Sequence, residues 1–223
     1  MAKKILKLKK IEKSFSGKSG VSTLFSNLEC DFFLGKSYAL IGESGVGKST
    51  LLHIASGLEK PTNGSISIMG VDFWSLSKKQ KYNLRIKETS IIFQQMNLIP
   101  CITARENIEF QARLNKKYDS KLIDTLIIDL GIRDILHEYP ENLSGGEQQR
   151  VAIARALAAN PTIFFADEPT GSLDEKNSDT VIKMLSGLCK EHKTSLLLIT
   201  HSHKVASHLN FLLELKHGKL IKK

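Results

Sequence analysis

The chain has 223 residues, a length that fits one large domain or a core carrying one inserted subdomain. Hydrophobic residues at 41% and charged residues at 25% are the balance of a chain with a sizeable core, and no apolar run approaches the roughly 18 residues of a membrane span. The net charge of +9 gathers in lysines at residues 3–13 and at Lys216, Lys219, Lys222 and Lys223. Those clusters hold few aromatic residues, which counts against nucleic acid and leaves a solvated face or an anionic membrane surface.

Residues 1–37 alternate lysine with aliphatic residues (Leu6-Lys7-Leu8-Lys9, then Leu24 to Phe33), with no signal-peptide hydrophobic block. Gly17 and Gly20 mark a hairpin turn, so a small antiparallel sheet is expected here. Cys30, Cys101 and Cys189 are far apart, odd in number and without CxxC spacing. They fit a reducing compartment and argue against a structural disulfide or zinc site.

Tyr38–Ile41 is a short apolar run, expected as a strand buried on both faces. Gly42-Glu43-Ser44-Gly45-Val46-Gly47-Lys48-Ser49-Thr50 comes directly after it and matches G-x-x-x-x-G-K-[ST]. An apolar-periodic helix with Leu51, Leu52, Ile54 and Ala55 comes next, and Gly57 stands where it should stop. Glycines let backbone wrap a triphosphate, and the helix start offers unpaired N–H groups. Lys48 should reach the β- and γ-phosphates of ATP, and Ser49 should ligate Mg²⁺.

Ser90–Phe93 reads as a further strand, and residues 96–160 as a mostly helical insertion that includes 120–130 and 147–159. Ser144 and Glu147 have capping-box spacing, and Asn160-Pro161 is a strong helix stop. Gly145 and Gly146 leave the first-turn N–H groups open to an anion. Ile163–Ala166 is the next strand, ending in Asp167 and Glu168. Ligands in open α/β sheets bind beyond the carboxyl ends of the strands, so Asp167 is the expected Mg²⁺ partner and Glu168 the base for an attacking water. Leu196–Thr200 then delivers His201 to the same edge, whereas His203 reads as a surface residue.

The string Leu143-Ser144-Gly145-Gly146-Glu147-Gln148-Gln149-Arg150 should coincide by chance in on the order of one in 10⁸ chains, at about 5% per residue type. It resembles the signature motif of ABC-type ATPases, and the resemblance covers essentially the whole chain. It implies that Gln94 is the glutamine-loop residue, in contact with metal and water, and that Ser172-Leu173-Asp174 is the aspartate loop. It further implies that His201 is the switch histidine and that Phe15 stacks on adenine, where tyrosine is commoner. It implies two copies head to tail, Ser144, Gly145 and Gly146 of one meeting the γ-phosphate held by the other.

The expected fold class is therefore α/β: a P-loop core of mainly parallel sheet, a flanking antiparallel β-subdomain and an inserted helical subdomain. Residues 1–95 and 161–223 form the core with its β-subdomain, and 96–160 the helical part. The strings Phe93 to Pro100 and Asp167 to Asp174 resemble the subgroup of lipoprotein-releasing and macrolide-exporter ATPases. That implies an ATP-hydrolysing subunit on the inner face of the cell membrane, docked through Met96, Leu98, Ile99 and Ile102 to integral membrane subunits. A cell-division-type regulatory ATPase and a soluble ATPase acting on DNA or ribosomes are the alternatives. The latter usually has two cassettes or a long coiled coil, which are absent from this sequence.

Overall fold

The structure, a computed structural model, describes residues 3–17, 20–169 and 175–223, and only the backbone of 175–179. Strands β1 (Lys4–Gly17) and β2 (Gly20–Phe33) pair antiparallel, with Gly17 opposite Gly20. Next come β3 (Ser37–Ile41), α1 (Lys48–Ala55), β4 (Asn63–Ile68), β5 (Val71–Asp72), α2 (Lys78–Glu88) and β6 (Thr89–Ile92). Helices α3 (Ala104–Leu114), α4 (Ser120–Asp129) and α5 (Gly145–Ala158) form the helical insertion, with two short 3₁₀ turns between the last two. The chain continues through β7 (Ile163–Asp167), α6 (Glu175–Glu191), β8 (Ser195–Ile199), α7 (His203–Ala206), β9 (Phe211–Lys216) and β10 (Lys219–Lys222).

Two sheets result. The first, in order β2-β1-β4-β5, is antiparallel; the second runs β10-β9-β3-β8-β7-β6, parallel except for the β10 edge. The fold class expected from the sequence is therefore the one observed, and each expected central strand lies within one residue of its observed bounds.

The continuous apolar runs of β7 and β8 are explained by cores on both faces of the second sheet. Phe164 and Ala166 of β7, with Leu196 and Leu198 of β8, point into the layer built by α3, α4, α5 and α6. Ile163 and Phe165, with Leu197 and Ile199, point to the opposite side, where α1 and the first sheet pack. Successive side chains in a strand face opposite ways, so every position here is a core position. Phe164 and Phe165 are both fully buried, each stabilising its layer by about 2–3 kcal/mol.

The capping boxes set where the helices begin. Thr103 and Glu106 cap α3, and Ser144 and Glu147 cap α5, each with reciprocal side-chain to backbone bonds. Alanines 152, 154, 156 and 158 are buried along α5, and such small residues permit close approach of neighbouring helices. Two side chains of α5 reach the strand-end loops. Arg155 donates to the carbonyls of Asn97 (2.8 Å) and Met96 (2.7 Å), and buried Gln149 donates to the carbonyl of Pro169. Among the described residues no helix is long and apolar enough to cross a membrane.

Candidate functional site

Four adjacent strands, β3, β8, β7 and β6, release their chains at the same edge of the parallel sheet. Beyond it lies an open cleft of about 520 Å³ lined by Phe15, Leu24, Ser44, Gly45, Gly47, Lys48, Ser49, Thr50, Gln94, Glu168 and His201. The cleft thus brings together the phosphate loop, the base, the histidine, the glutamine and the aromatic residue named from sequence.

The loop after β3 requires glycine at two close approaches. A Cβ on Gly42 (φ 153°) would lie 2.5 Å from the Leu215 carbonyl oxygen, and one on Gly47 (φ 102°) 2.5 Å from the Leu24 side chain. Lys48 is buried, and its Nζ donates to the carbonyls of Gly42 (3.0 Å) and Glu43 (2.9 Å), so the loop is folded around its own cation. Gly47 starts α1 without any side-chain cap, which leaves the first-turn donors facing the cleft edge for an anion. Gly42, Glu43 and Val46 line a separate cavity of about 370 Å³ with Ser22, Thr23 and Glu214, rather than the cleft itself.

Ser49 Oγ donates to Asp167 Oδ1 at 3.0 Å, tying the first turn of α1 to the end of β7. Burial holds the Asp167 carboxyl above its ordinary range, and the Ser49 bond offsets that only in part. His53, one turn further along α1, places Nε2 at 3.9 Å from Asp167 Oδ2, beyond hydrogen-bond reach. Glu168 takes the left-handed conformation (φ 45°), which is rare for a residue with a side chain and turns the chain sharply after Asp167. Its Oε1 lies 2.7 Å from His201 Nε2. The parallel register explains that contact, because Asp167 stands opposite Ile199 and each chain leaves its strand at the same height.

Phe15 is 48% exposed, enough to offer a ring face to a planar ligand, and Lys13 Nζ sits 5.0 Å from its centroid. Gln94 is exposed at the cleft. Leu24, which sequence reasoning missed, lines the cleft and packs on Gly47. Its signal is only an apolar residue among the polar ones of β2. Asp174, with Ser172 and Leu173, lies outside the described residues.

Ser144, Gly145 and Gly146 do not line this cleft. They sit at the exposed start of α5, where Ser144 donates from N (2.8 Å) and Oγ (2.6 Å) to Glu147 Oε2 and accepts from Glu147 N (3.4 Å). Those bonds hold the Glu147 carboxyl below its ordinary value. A Cβ at Gly145 or Gly146 would meet nothing within 4 Å. Helical glycine costs about 0.5–1 kcal/mol relative to alanine, and packing among the described residues gives no reason for either one.

A third hollow of about 390 Å³ lies between the parallel sheet and the helical layer, with Leu58, Ile86, Ile91, Phe93, Ile99 and Phe110 in its wall. Of the four apolar docking residues expected from sequence, Ile99 lines it. Met96 and Leu98 instead pack on the helical core, and Ile102 is half-buried away from the hollow. The apolar run after Gln94 therefore closes the chain's own core more than it offers an external face.

A family model described as ABC transporter matches residues 25–171. The chain is 39% identical over 223 residues to the lipoprotein-releasing system ATP-binding protein LolD of Rickettsia bellii, covering 99% of each chain. It is 36% identical to the uncharacterized ABC transporter ATP-binding protein YbbA of Escherichia coli, covering 98% of this chain and 97% of that one. Among solved structures, it superposes with a TM-score of 0.89 on the ATP-binding cassette MJ0796, solved as a post-hydrolysis dimer bound to ADP and Pi. The two are 32% identical, with 98% of each chain covered.

Proposed function

The chain belongs to the ABC transporter family as an ATP-binding and ATP-hydrolysing subunit, and on that basis we propose that two copies close head to tail around two ATP molecules to drive a membrane partner. The observation that carries this reading is the pair of glycines at the start of α5. They leave open space that no described residue of their own chain fills, at a helix end suited to an anion. The γ-phosphate held in the cleft of one copy fits that space on the other, and the dimeric state of the MJ0796 cassette supports the arrangement.

In this reading Lys48 trades its two loop carbonyls for phosphate oxygens, and the uncapped N–H groups of α1 take the β-phosphate. Phe15 and Leu24 bracket the base and sugar end of the cleft. Ser49 and Asp167 present hard oxygen donors 3.0 Å apart, a set suited to Mg²⁺, which keeps most of its waters. Gln94 faces the same space. An Mg²⁺ ion held by them would supply charge neutralisation for the β- and γ-phosphates. Glu168 accepts a proton from the attacking water, and His201, held at 2.7 Å, keeps that carboxylate aimed at the cleft and bonds the γ-phosphate. The resemblance also gives Asp174 a part, outside the described residues. Loss of the γ-phosphate then removes the bridge between copies.

The partner is an integral membrane subunit seated in the hollow between sheet and helical layer, so the chain sits on the inner face of the membrane. The likeness to LolD supports lipoprotein release, or related handling of a substrate beyond the membrane, as the work performed. Arg155 and Gln149 join α5 to the loops after β6 and β7, so one helix is hydrogen-bonded both beside the docking hollow and beside the nucleotide cleft. The test is ATP turnover by the chain with its membrane subunit in vesicles, with and without lipoprotein. Stimulation by lipoprotein supports transport, and turnover indifferent to any cargo contradicts it.

A further inference from the structure

One buried donor beside the nucleotide cleft lacks a hydrogen bond. His53 Nε2 is shut off from solvent and bonds nothing among the described residues. Buried polar atoms are nearly always paired, so an unpaired one calls for a physical explanation.

The acid of the metal set supplies it. Ser49 and His53 stand four residues apart on α1, so both side chains lie on one face of the helix and both reach toward Asp167. Ser49 Oγ bonds Oδ1 at 3.0 Å, while His53 Nε2 stops 3.9 Å from Oδ2. The Asp167 carboxylate is itself buried and accepts from Ser49 alone among the described residues, which leaves most of its lone-pair sites unused. A donor and an acceptor, each short of partners, thus face one another about 1 Å too far apart to bond.

The backbone around His53 is fixed. Its carbonyl accepts from Ser56 Oγ (3.1 Å), Leu58 N (2.9 Å) and Glu59 N (3.1 Å), which pins the end of α1. The imidazole lies against Phe93, with ring centroids 5.9 Å apart and planes at 58°, and Phe93 directly precedes Gln94 of the cleft. A rotation within the two side chains is therefore what closes the gap.

We propose that His53 is a positioning residue for Asp167: when the cleft holds Mg²⁺ and nucleotide, Nε2–H donates to Oδ2 and fixes the rotation of the carboxylate. The inference rests on the reading that Ser49 and Asp167 form the metal set, and it adds the partner that orients the acid. One bond from Ser49 leaves the carboxylate free to turn, and a second donor on the other oxygen removes that freedom. Partners behind a metal-holding side chain commonly change metal affinity by about 10–100-fold. The imidazole can donate from Nε2 whether neutral or charged, so the role is one of geometry.

The experiment uses the full chain carrying Glu168→Gln, which should hold nucleotide without turning it over, and a fluorescent ATP analogue. Affinity is measured with Mg²⁺ and again in excess EDTA, and the ratio gives the tightening due to the ion. His53→Leu keeps an apolar side chain against Phe93 but removes the donor. It should cut that ratio about tenfold and leave the affinity in EDTA unchanged. His53→Gln returns a donor of similar reach and should restore most of the loss. In a chain with isotope-labelled histidine, the His53 Nε2 proton should become slow to exchange only when Mg²⁺ and analogue are both present. Thermal unfolding of each variant shows that the fold is intact.

Asp167→Asn separates the two readings. If it abolishes the tightening while His53→Leu matches the parent, the metal set stands and His53 has no part in it. If His53→Leu and His53→Gln lose the tightening equally, the ring acts only by packing on Phe93 and the proposal fails. Tightening that survives Asp167→Asn would remove the metal set itself, and the positioning role with it.

Discussion

Glu168→Gln removes a proton acceptor while leaving a side chain of the same length and shape. The amide oxygen can still accept from His201 Nε2, now 2.7 Å from the carboxylate, so the left-handed turn at Glu168 keeps its tie. The pair is partly solvent-exposed, at 53% for His201 and 23% for Glu168, so its loss should change stability by less than about 1 kcal/mol. The rate should respond far more. General-base catalysis is worth about 10²–10⁴-fold, or about 3–5 kcal/mol on the barrier. Single-turnover phosphate release, with protein in excess over ATP, isolates that step from product release. Equilibrium binding of a fluorescent ATP analogue checks that the cleft still loads. His201→Ala leaves the carboxylate in place but unaimed, and should slow the step by up to about 10²-fold. A Glu168→Gln protein that hydrolyses within threefold of the parent would refute the assignment of the base.

The local geometry carries two further expected outcomes. Gly47→Ala puts a Cβ 2.5 Å from Leu24 in a left-handed backbone, and should cost about 2 kcal/mol. That is about 4–8 °C in Tm for a chain of this size, and Leu24→Ala in the same chain should recover the steric part only. At the start of α5, the Ser144 donors lower the Glu147 pKa, so the carboxylate's contribution is full above the ordinary value of about 4.3. It is lost as pH falls through the lowered folded value. Urea unfolding should therefore separate the parent from Glu147→Gln at pH 7, and the two should converge once the pH falls below that lowered value.

Much of the site was legible because its residues sit at strand ends. Tyr38–Ile41, Ile163–Ala166 and Leu196–Thr200 are short apolar runs. The phosphate loop, Asp167-Glu168 and His201 come directly after them in turn, so all three must emerge at one edge of a parallel sheet. The Glu168–His201 distance was not legible, since it depends on the register of β7 against β8. The first hairpin showed in its alternation and in Gly17 and Gly20. Its partner β4 has a fainter signal, Asn63-Gly64 and the alternation of Ile66 and Ile68, and sequence reasoning missed it.

The end of the chain is also more ordered than its charge suggests. Lys216, Lys219, Lys222 and Lys223 read as a charge cluster, but the first three belong to the β9–β10 hairpin, whose turn residues His217 and Gly218 both have positive φ. The fate of Met96 and Leu98 was beyond the sequence for another reason. An apolar residue in a loop can face its own core or a partner, and only the packing of α5 behind them decides.

The central claim is that one nucleotide site is shared by two copies. The direct measurement mixes a Ser44→Cys chain with a Ser144→Cys chain, both carrying Glu168→Gln and with Cys30 and Cys101 replaced by serine, and treats them with a short bis-maleimide. With ATP and Mg²⁺ present, covalent dimers joining residue 44 of one chain to residue 144 of the other should accumulate, and they should be absent without nucleotide. Failure of that pair to couple in ATP, or coupling of residue 144 only to its own copy, would contradict the head-to-tail site.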